Sequence, residues 1–118
     1  MMPKSIGYEK AFKFSIRIVR LYQYLCKDKK EYVLSKQILR SGTSIGANIK
    51  EALQAQSKRD YLSKMNVALE EASETEYWLD LLQSTDYIDD KMYSSMIEDC
   101  RELIKILVST VKTTRKSL

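Results

Sequence analysis

The feature that most constrains the fold is a repeating spacing of three and four residues between apolar or small side chains, in four separate segments. The third segment shows it most clearly, over Tyr61, Met65, Ala68, Ala72, Thr75, Leu79 and Leu82. An α-helix brings such positions to one face, whereas a half-buried strand needs strict alternation. The spacing predicts helices over about 6–27, 34–56, 58–83 and 90–115.

Turn-forming residues are scarce. The 118 residues include 3 glycines and 1 proline, too few for the many tight turns of a β-sandwich or barrel. Four helices of similar length with short links bury their apolar faces most simply by packing side by side. We therefore expect an all-α fold, an antiparallel up-down-up-down four-helix bundle, as a single domain over residues 1–118.

The chain contains no histidine. This excludes His-based acid–base chemistry, Ser-His-Asp and Cys-His nucleophilic sites, and His-ligated zinc or di-iron centres. We therefore expect no enzymatic activity, no cofactor and no metal. Cys26 and Cys100 lie inside apolar helical patterns, which favours free thiols in a reducing cytoplasm. Neither a signal-peptide pattern nor an apolar run of about 18–20 residues is present, so we expect a cytoplasmic protein outside the membrane.

Opposite charges are separated along the chain. Residues 1–57 carry a net charge of +7 and residues 58–118 a net charge of −3, which together give +4. A helical wheel gathers five cations of the first helix into one basic stripe, which consists of Lys10, Lys13, Arg17, Arg20 and Lys27. These side chains suit contacts with phosphates of RNA or DNA that read no sequence. The alternative is pairing with an acidic surface, such as the third helix of the same bundle or of a neighbour.

The apolar face of the first helix is wider than one core requires. It covers close to half of the helix circumference because Phe12 and Val19 extend it beyond the main stripe. This favours self-association, with a second buried surface. The alternative is a helix that touches two neighbours within a compact monomer.

The second predicted helix contains a cluster of small residues. Gly42 and Gly46 each cost about 1 kcal/mol relative to alanine in a helix. Together with Ser41 and Ser44 they predict close approach by another helix, and their mid-helix position disfavours a phosphate-binding loop. The predicted packing motif also includes Asn48 and Glu51, interpreted as polar groups that fix helix register rather than as catalysts.

The third predicted helix is acidic. Glu70 and Glu74 lie one turn apart, but a ferritin-like metal site also needs Glu-x-x-His pairs, so we expect a solvated or ion-paired face. The opposite charges of these two helices predict an ion pair between Arg40 of the second helix and Glu71 or Glu74 of the third.

Two segments resemble a known family. RSGTSIGANIKEA (40–52) and ALEEASETEYWLDLL (68–82) are similar to the signature of the four-helix-bundle family of 23S rRNA intervening-sequence proteins, and LSKQILRSG and SKRDYLSKMN also fit. The resemblance implies an antiparallel four-helix bundle, homopentamers and no established enzymatic activity. One departure is Ala52, where many members have glycine. The chain resembles more remotely the accessory variability-determinant protein of diversity-generating retroelements, a basic pentamer that binds nucleic acid and a reverse transcriptase.

These observations lead to two functional hypotheses. The first is a non-enzymatic homo-oligomer, pentameric by resemblance, that binds RNA or DNA without sequence preference or serves as an accessory protein. The second is a structural or protein-interaction module whose basic face pairs with an acidic protein surface.

Overall fold

Four helices joined by short turns make up the computed structural model, which describes residues 5–118. They are α1 (Ile6–Lys27), α2 (Leu34–Ala52), α3 (Lys58–Ser84) and α4 (Asp90–Lys116). Each helix packs against the next in the chain, and α4 returns to α1, in an elongated bundle of 46 × 21 × 20 Å. The predicted all-α four-helix bundle is confirmed. None of the helices within residues 5–118 has the length and apolar character needed to cross a bilayer.

Side-chain caps set the starts of three helices. The hydroxyls of Ser5 and Ser57 accept hydrogen bonds from the backbone N–H groups of Tyr8 and Asp60, both at 3.0 Å. The Asp89 carboxylate accepts one from Met92 N–H at 2.8 Å. Each bond satisfies a donor that the first helical turn leaves unpaired.

The start of α2 is satisfied in a different way. Val33 stands at the cap position and contributes no side-chain hydrogen bond. The buried carboxylate of Glu31 instead accepts from Ser35 N–H at 2.8 Å and from Val33 N–H at 3.2 Å. A carboxylate is favoured there because the first turn of a helix carries partial positive charge.

The prediction that α2 continues to about residue 56 is wrong, since the helix ends at Ala52. Turn-type hydrogen bonds follow, from Gln54 N–H to Glu51 O and from Ala55 N–H to Ala52 O. The chain has to leave the helix before Ser57, whose extended backbone (φ −151°, ψ 164°) is required for it to cap α3. The other predicted helix boundaries agree with the structure within one residue.

The bundle interior is apolar and polar groups within it are paired. Its core includes Phe14 and Ile18 from α1, Ile45 from α2 and Leu79 from α3, together with α4 side chains such as Leu103. The buried Thr75 hydroxyl donates to Ser41 Oγ at 2.9 Å, across the α2–α3 contact. Such satisfied polar pairs avoid the cost of burying an unpaired hydroxyl.

The contact between α1 and α4 is much less extensive than the other three contacts between neighbouring helices. A groove of about 360 Å³ opens along this seam. Its apolar lining includes Leu21, Tyr24, Met92 and Met96. The bundle therefore closes weakly between its first and last helices.

Candidate functional site

The wide apolar face of α1 divides into an inner and an outer part. The inner part, which includes Phe14 and Ile18, is buried in the core. An outer stripe remains in water: Phe12 is 55% exposed, Ile16 48% and Val19 36%. The Tyr8 ring lies beside it, with its centroid 6.2 Å from that of Phe12. The bundle core thus accounts for only part of the apolar surface of α1.

Shallow grooves follow this outer stripe along the helix. Phe12 contributes to two of them, one shared with Tyr8 and Lys13 and the other with Ile16 and Val19. Ile16 also lines the groove on the α1–α4 seam. The stripe and its grooves together form a continuous apolar surface that extends over most of α1.

Two cations of the basic stripe are held by α4 of the same chain. Lys10 Nζ lies 3.0 Å from Glu102 Oε1. Arg17 donates to Asp99 Oδ2 at 2.5 Å, to Ser95 Oγ at 2.6 Å and to Ser95 O at 3.3 Å. The alternative that this face pairs with α3 of the same bundle is wrong, because α4, not α3, lies beside it. Pairing with α3 of a neighbouring copy stays a prediction.

The other three cations of the basic stripe are exposed. Lys13, Arg20 and Lys27 have no ion pair within residues 5–118, and Arg20 donates only to Gln23 Oε1, at 3.2 Å. Lys13 lines a small cleft together with Asp99, so its positive field is reduced by a nearby carboxylate. The basic stripe is therefore partly neutralised.

The small residues of α2 allow two helices to approach. A Cβ added at Gly42 would lie 2.7 Å from Ile18 Cγ1, and one at Gly46 would lie 3.6 Å from Ala11. Both glycines therefore face α1. Ser41 faces α3 through its bond to Thr75, whereas the Ser44 hydroxyl donates to Arg40 O within α2.

Asn48 and Glu51 are not brought together as a polar pair. The Asn48 amide donates to Ser44 O at 2.8 Å, within its own helix. The exposed Glu51 carboxylate lies 3.4 Å from Lys64 Nζ on α3. Glu51 thus links two helices at the surface, and Asn48 stabilises only α2.

The structure brings Arg40, Glu71 and Glu74 together across the α2–α3 contact. Arg40 lies 2.9 Å from Glu71 Oε2 and also pairs with Glu74. Trp78 Nε1 donates to Glu74 at 2.9 Å. The hydrogen bonds from Trp78 and Arg40 lower the pKa of Glu74, and both carboxylates raise the pKa of Arg40. Trp78 is not among the predicted site residues, although its position one turn after Glu74 permits this bond.

Over the described residues, the remaining titratable groups do not converge on a reactive centre. Burial raises the pKa of the Cys100 thiol to about 12, so the group stays protonated at neutral pH. Both cysteines are free thiols. Over residues 5–118, no three histidine, cysteine, aspartate or glutamate side chains are grouped so as to hold a metal ion.

Comparisons with known proteins identify the family of this chain. None of the curated proteins matches it. The crystal structure of a protein of unknown function from the S23 ribosomal protein family of Bacteroides thetaiotaomicron VPI-5482 is similar, with 54% sequence identity and a TM-score of 0.90. The match covers 91% of this chain and 99% of that one. The family model described as 23S rRNA-intervening sequence protein matches residues 4–109, and the chain therefore belongs to that family.

Proposed function

We propose that this protein is a cytoplasmic, non-enzymatic homo-oligomer with an accessory role in nucleic-acid binding. The observation that carries the proposal is the outer stripe of α1, which leaves Phe12, Ile16 and Val19 in water. When several large apolar side chains are aligned on one exposed face, that face generally forms a contact with another protein. A pentamer is the assembly that the family resemblance implies.

A second copy of the chain offers a surface that complements the outer stripe. The exposed face of α3 carries the apolar side chains of Val67 and Tyr77 beside the exposed carboxylate of Glu70. The outer stripe has the cations Lys13 and Arg20 at its border. A contact between two different faces of neighbouring copies is heterologous, and such contacts close into rings when the rotation is suitable.

The proposed assembly is tested by replacing two residues of the outer stripe. We expect Phe12→Ser combined with Ile16→Ser to shift the oligomer to monomers while the helical circular dichroism persists. Tyr77→Ser is also expected to weaken assembly, because it changes the face of α3 that would contact the outer stripe of a neighbouring copy. Light scattering coupled to gel filtration gives the mass of each variant.

The matched control is Tyr32→Ser combined with Val108→Ser. These two side chains are exposed to a similar extent, 52% and 47%, but lie outside the outer stripe. This control is expected to assemble as the unmodified protein does. A monomeric unmodified protein, or dissociation caused by the control alone, contradicts the proposal.

The nucleic-acid part of the proposal rests on the exposed cations of the basic stripe. Lys13, Arg20 and Lys27 are available to phosphates, and repetition of the stripe in an oligomer increases the local positive field. Contacts of this kind position a protein on the phosphate backbone without reading base sequence.

A second candidate function is a protein-interaction module without nucleic-acid binding. It is favoured by one observation, the pairing of Lys10 and Arg17 with α4, since these two side chains already have carboxylate partners. Under this alternative, the basic stripe serves mainly to hold the bundle together and to orient an acidic protein partner.

A further inference from the structure

The positive charge of the bundle is concentrated at one end. At this basic end, α1 and α3 begin and α2 and α4 finish, over residues 5–10, 50–64 and 112–118. These ranges contain eight basic and three acidic side chains, a net charge of +5. At the opposite end, residues 27–36 and 84–91 contain five basic and five acidic side chains. The basic side chains of the basic end are Lys10, Lys50, Lys58, Arg59, Lys64, Lys112, Arg115 and Lys116.

Chain segments that are distant in sequence form this surface together. Lys58 Nζ donates to Ser117 O at 3.3 Å, which joins the start of α3 to the end of α4. Lys64 pairs with Glu51 at 3.4 Å, which joins α3 to α2. Two helices begin and two end here, so their dipoles largely cancel and the electric field is set by the side chains.

Six cations of the basic end have no carboxylate partner in the described residues; of these, Lys50 lies over the Tyr8 ring and Lys58 donates to Ser117 O. The other four are all exposed, and none has an ion-pair partner in the part of the chain that the structure describes: Arg59, Lys112, Arg115 and Lys116. In the basic stripe of α1, by contrast, Lys10 and Arg17 are paired with α4. The basic end therefore presents the larger uncompensated positive field.

We infer that the basic end, which shares only Lys10 with the basic stripe, is a second phosphate-contacting surface for RNA or DNA. Over residues 50–64 and 112–118, Leu118 is the one large apolar side chain that is exposed. A protein partner generally needs an apolar centre in its interface, whereas a phosphodiester backbone is held by charge alone. The inference rests on the proposed nucleic-acid role and adds a binding surface to it.

The test compares two triple variants with equal loss of charge. The first is Arg59→Gln, Lys112→Gln, Arg115→Gln at the basic end, and the matched control is Lys13→Gln, Arg20→Gln, Lys27→Gln in the basic stripe. Binding to a duplex DNA of about 20 base pairs and to a single-stranded RNA of about 20 nucleotides is followed by fluorescence anisotropy over a salt series. Circular dichroism checks that both variants remain helical.

We expect the basic-end variant to reduce the log–log salt slope on duplex DNA by roughly two to three, because each lost phosphate contact removes about 0.9. An unchanged slope in this variant, with a reduced slope in the stripe variant, overturns the inference but leaves the proposed function intact. If the unmodified protein binds neither probe at low salt, both the inference and the proposed nucleic-acid role are overturned. Displacement of the nucleic acid by poly-glutamate at equal charge concentration overturns the assignment to phosphates.

Discussion

Gly42 and Gly46 lie one turn apart on α2, but a methyl group added at each would meet different surroundings. At Gly42 the added carbon would lie 2.7–2.8 Å from three side-chain carbons of Ile18, which is fully buried. At Gly46 the nearest atom is Ser15 Oγ, at an ordinary contact distance of 3.5 Å. The first glycine is therefore required by packing, and the second is not.

The two alanine substitutions should change stability in opposite directions. Gly46→Ala is expected to raise the free energy of unfolding by about 0.5–1 kcal/mol, because alanine favours the helix. Gly42→Ala is expected to lower it by about 1–3 kcal/mol, because the overpacked Ile18 forces α1 and α2 apart. Urea denaturation of both variants measures the difference. Equal stability of the two variants would contradict this account of the α1–α2 contact.

At the scale of the helix pair, Arg40 joins α2 to two carboxylates of α3. Arg40→Met should lower the free energy of unfolding near pH 7 by about 1 kcal/mol, since partly exposed ion pairs contribute little individually. Lys36→Met on the same helix is the control, since Lys36 is exposed and has no ion pair within residues 5–118. A loss no larger than that of the control would contradict a stabilising role for the Arg40 cluster.

The pH dependence of the Arg40 variant follows from the lowered pKa of Glu74. A carboxyl whose pKa is lower in the folded state stabilises the fold above its unfolded pKa of about 4, and this contribution disappears as the pH falls through the folded pKa. The difference in the free energy of unfolding between Arg40→Met and the unmodified protein should therefore be largest near neutral pH and decrease at acidic pH. Urea denaturation over a pH series measures it, and a difference independent of pH would contradict the ion-pair explanation.

The sequence predicts some contacts between the helices and not others. The Arg40 pairing and the caps that Ser57 and Asp89 provide for α3 and α4 follow from local spacing and charge. The Glu31 cap of α2 and the α4 partners of Lys10 and Arg17 do not follow from it. A helical wheel gives the direction of a side chain around its own axis. It does not give the neighbouring helix that lies in that direction, because packing of the whole bundle decides this.

At the scale of the whole molecule, charge and packing are both uneven. The basic end has no counterpart at the other end of the bundle, and the ring of helices is least tightly packed between α1 and α4. The same seam carries the polar bridges of Lys10 and Arg17. Cations of α1 therefore contribute to closing the bundle, and the exposed apolar and basic groups on either side of the seam remain available to partners.

Arg17 is expected to matter for stability rather than for nucleic-acid binding. It bridges the seam through Asp99 and Ser95, so Arg17→Gln should lower the free energy of unfolding by about 1 kcal/mol, a value reduced by the partial exposure of the pair. Lys13→Gln removes the same charge one turn away, where the side chain has no ion pair in the described residues, and should change stability by less than about 0.5 kcal/mol. Urea denaturation compares the two variants. Equal stability would mean that the Arg17 bridge contributes nothing to closing the bundle, and Arg17 would then count among the cations available to phosphates.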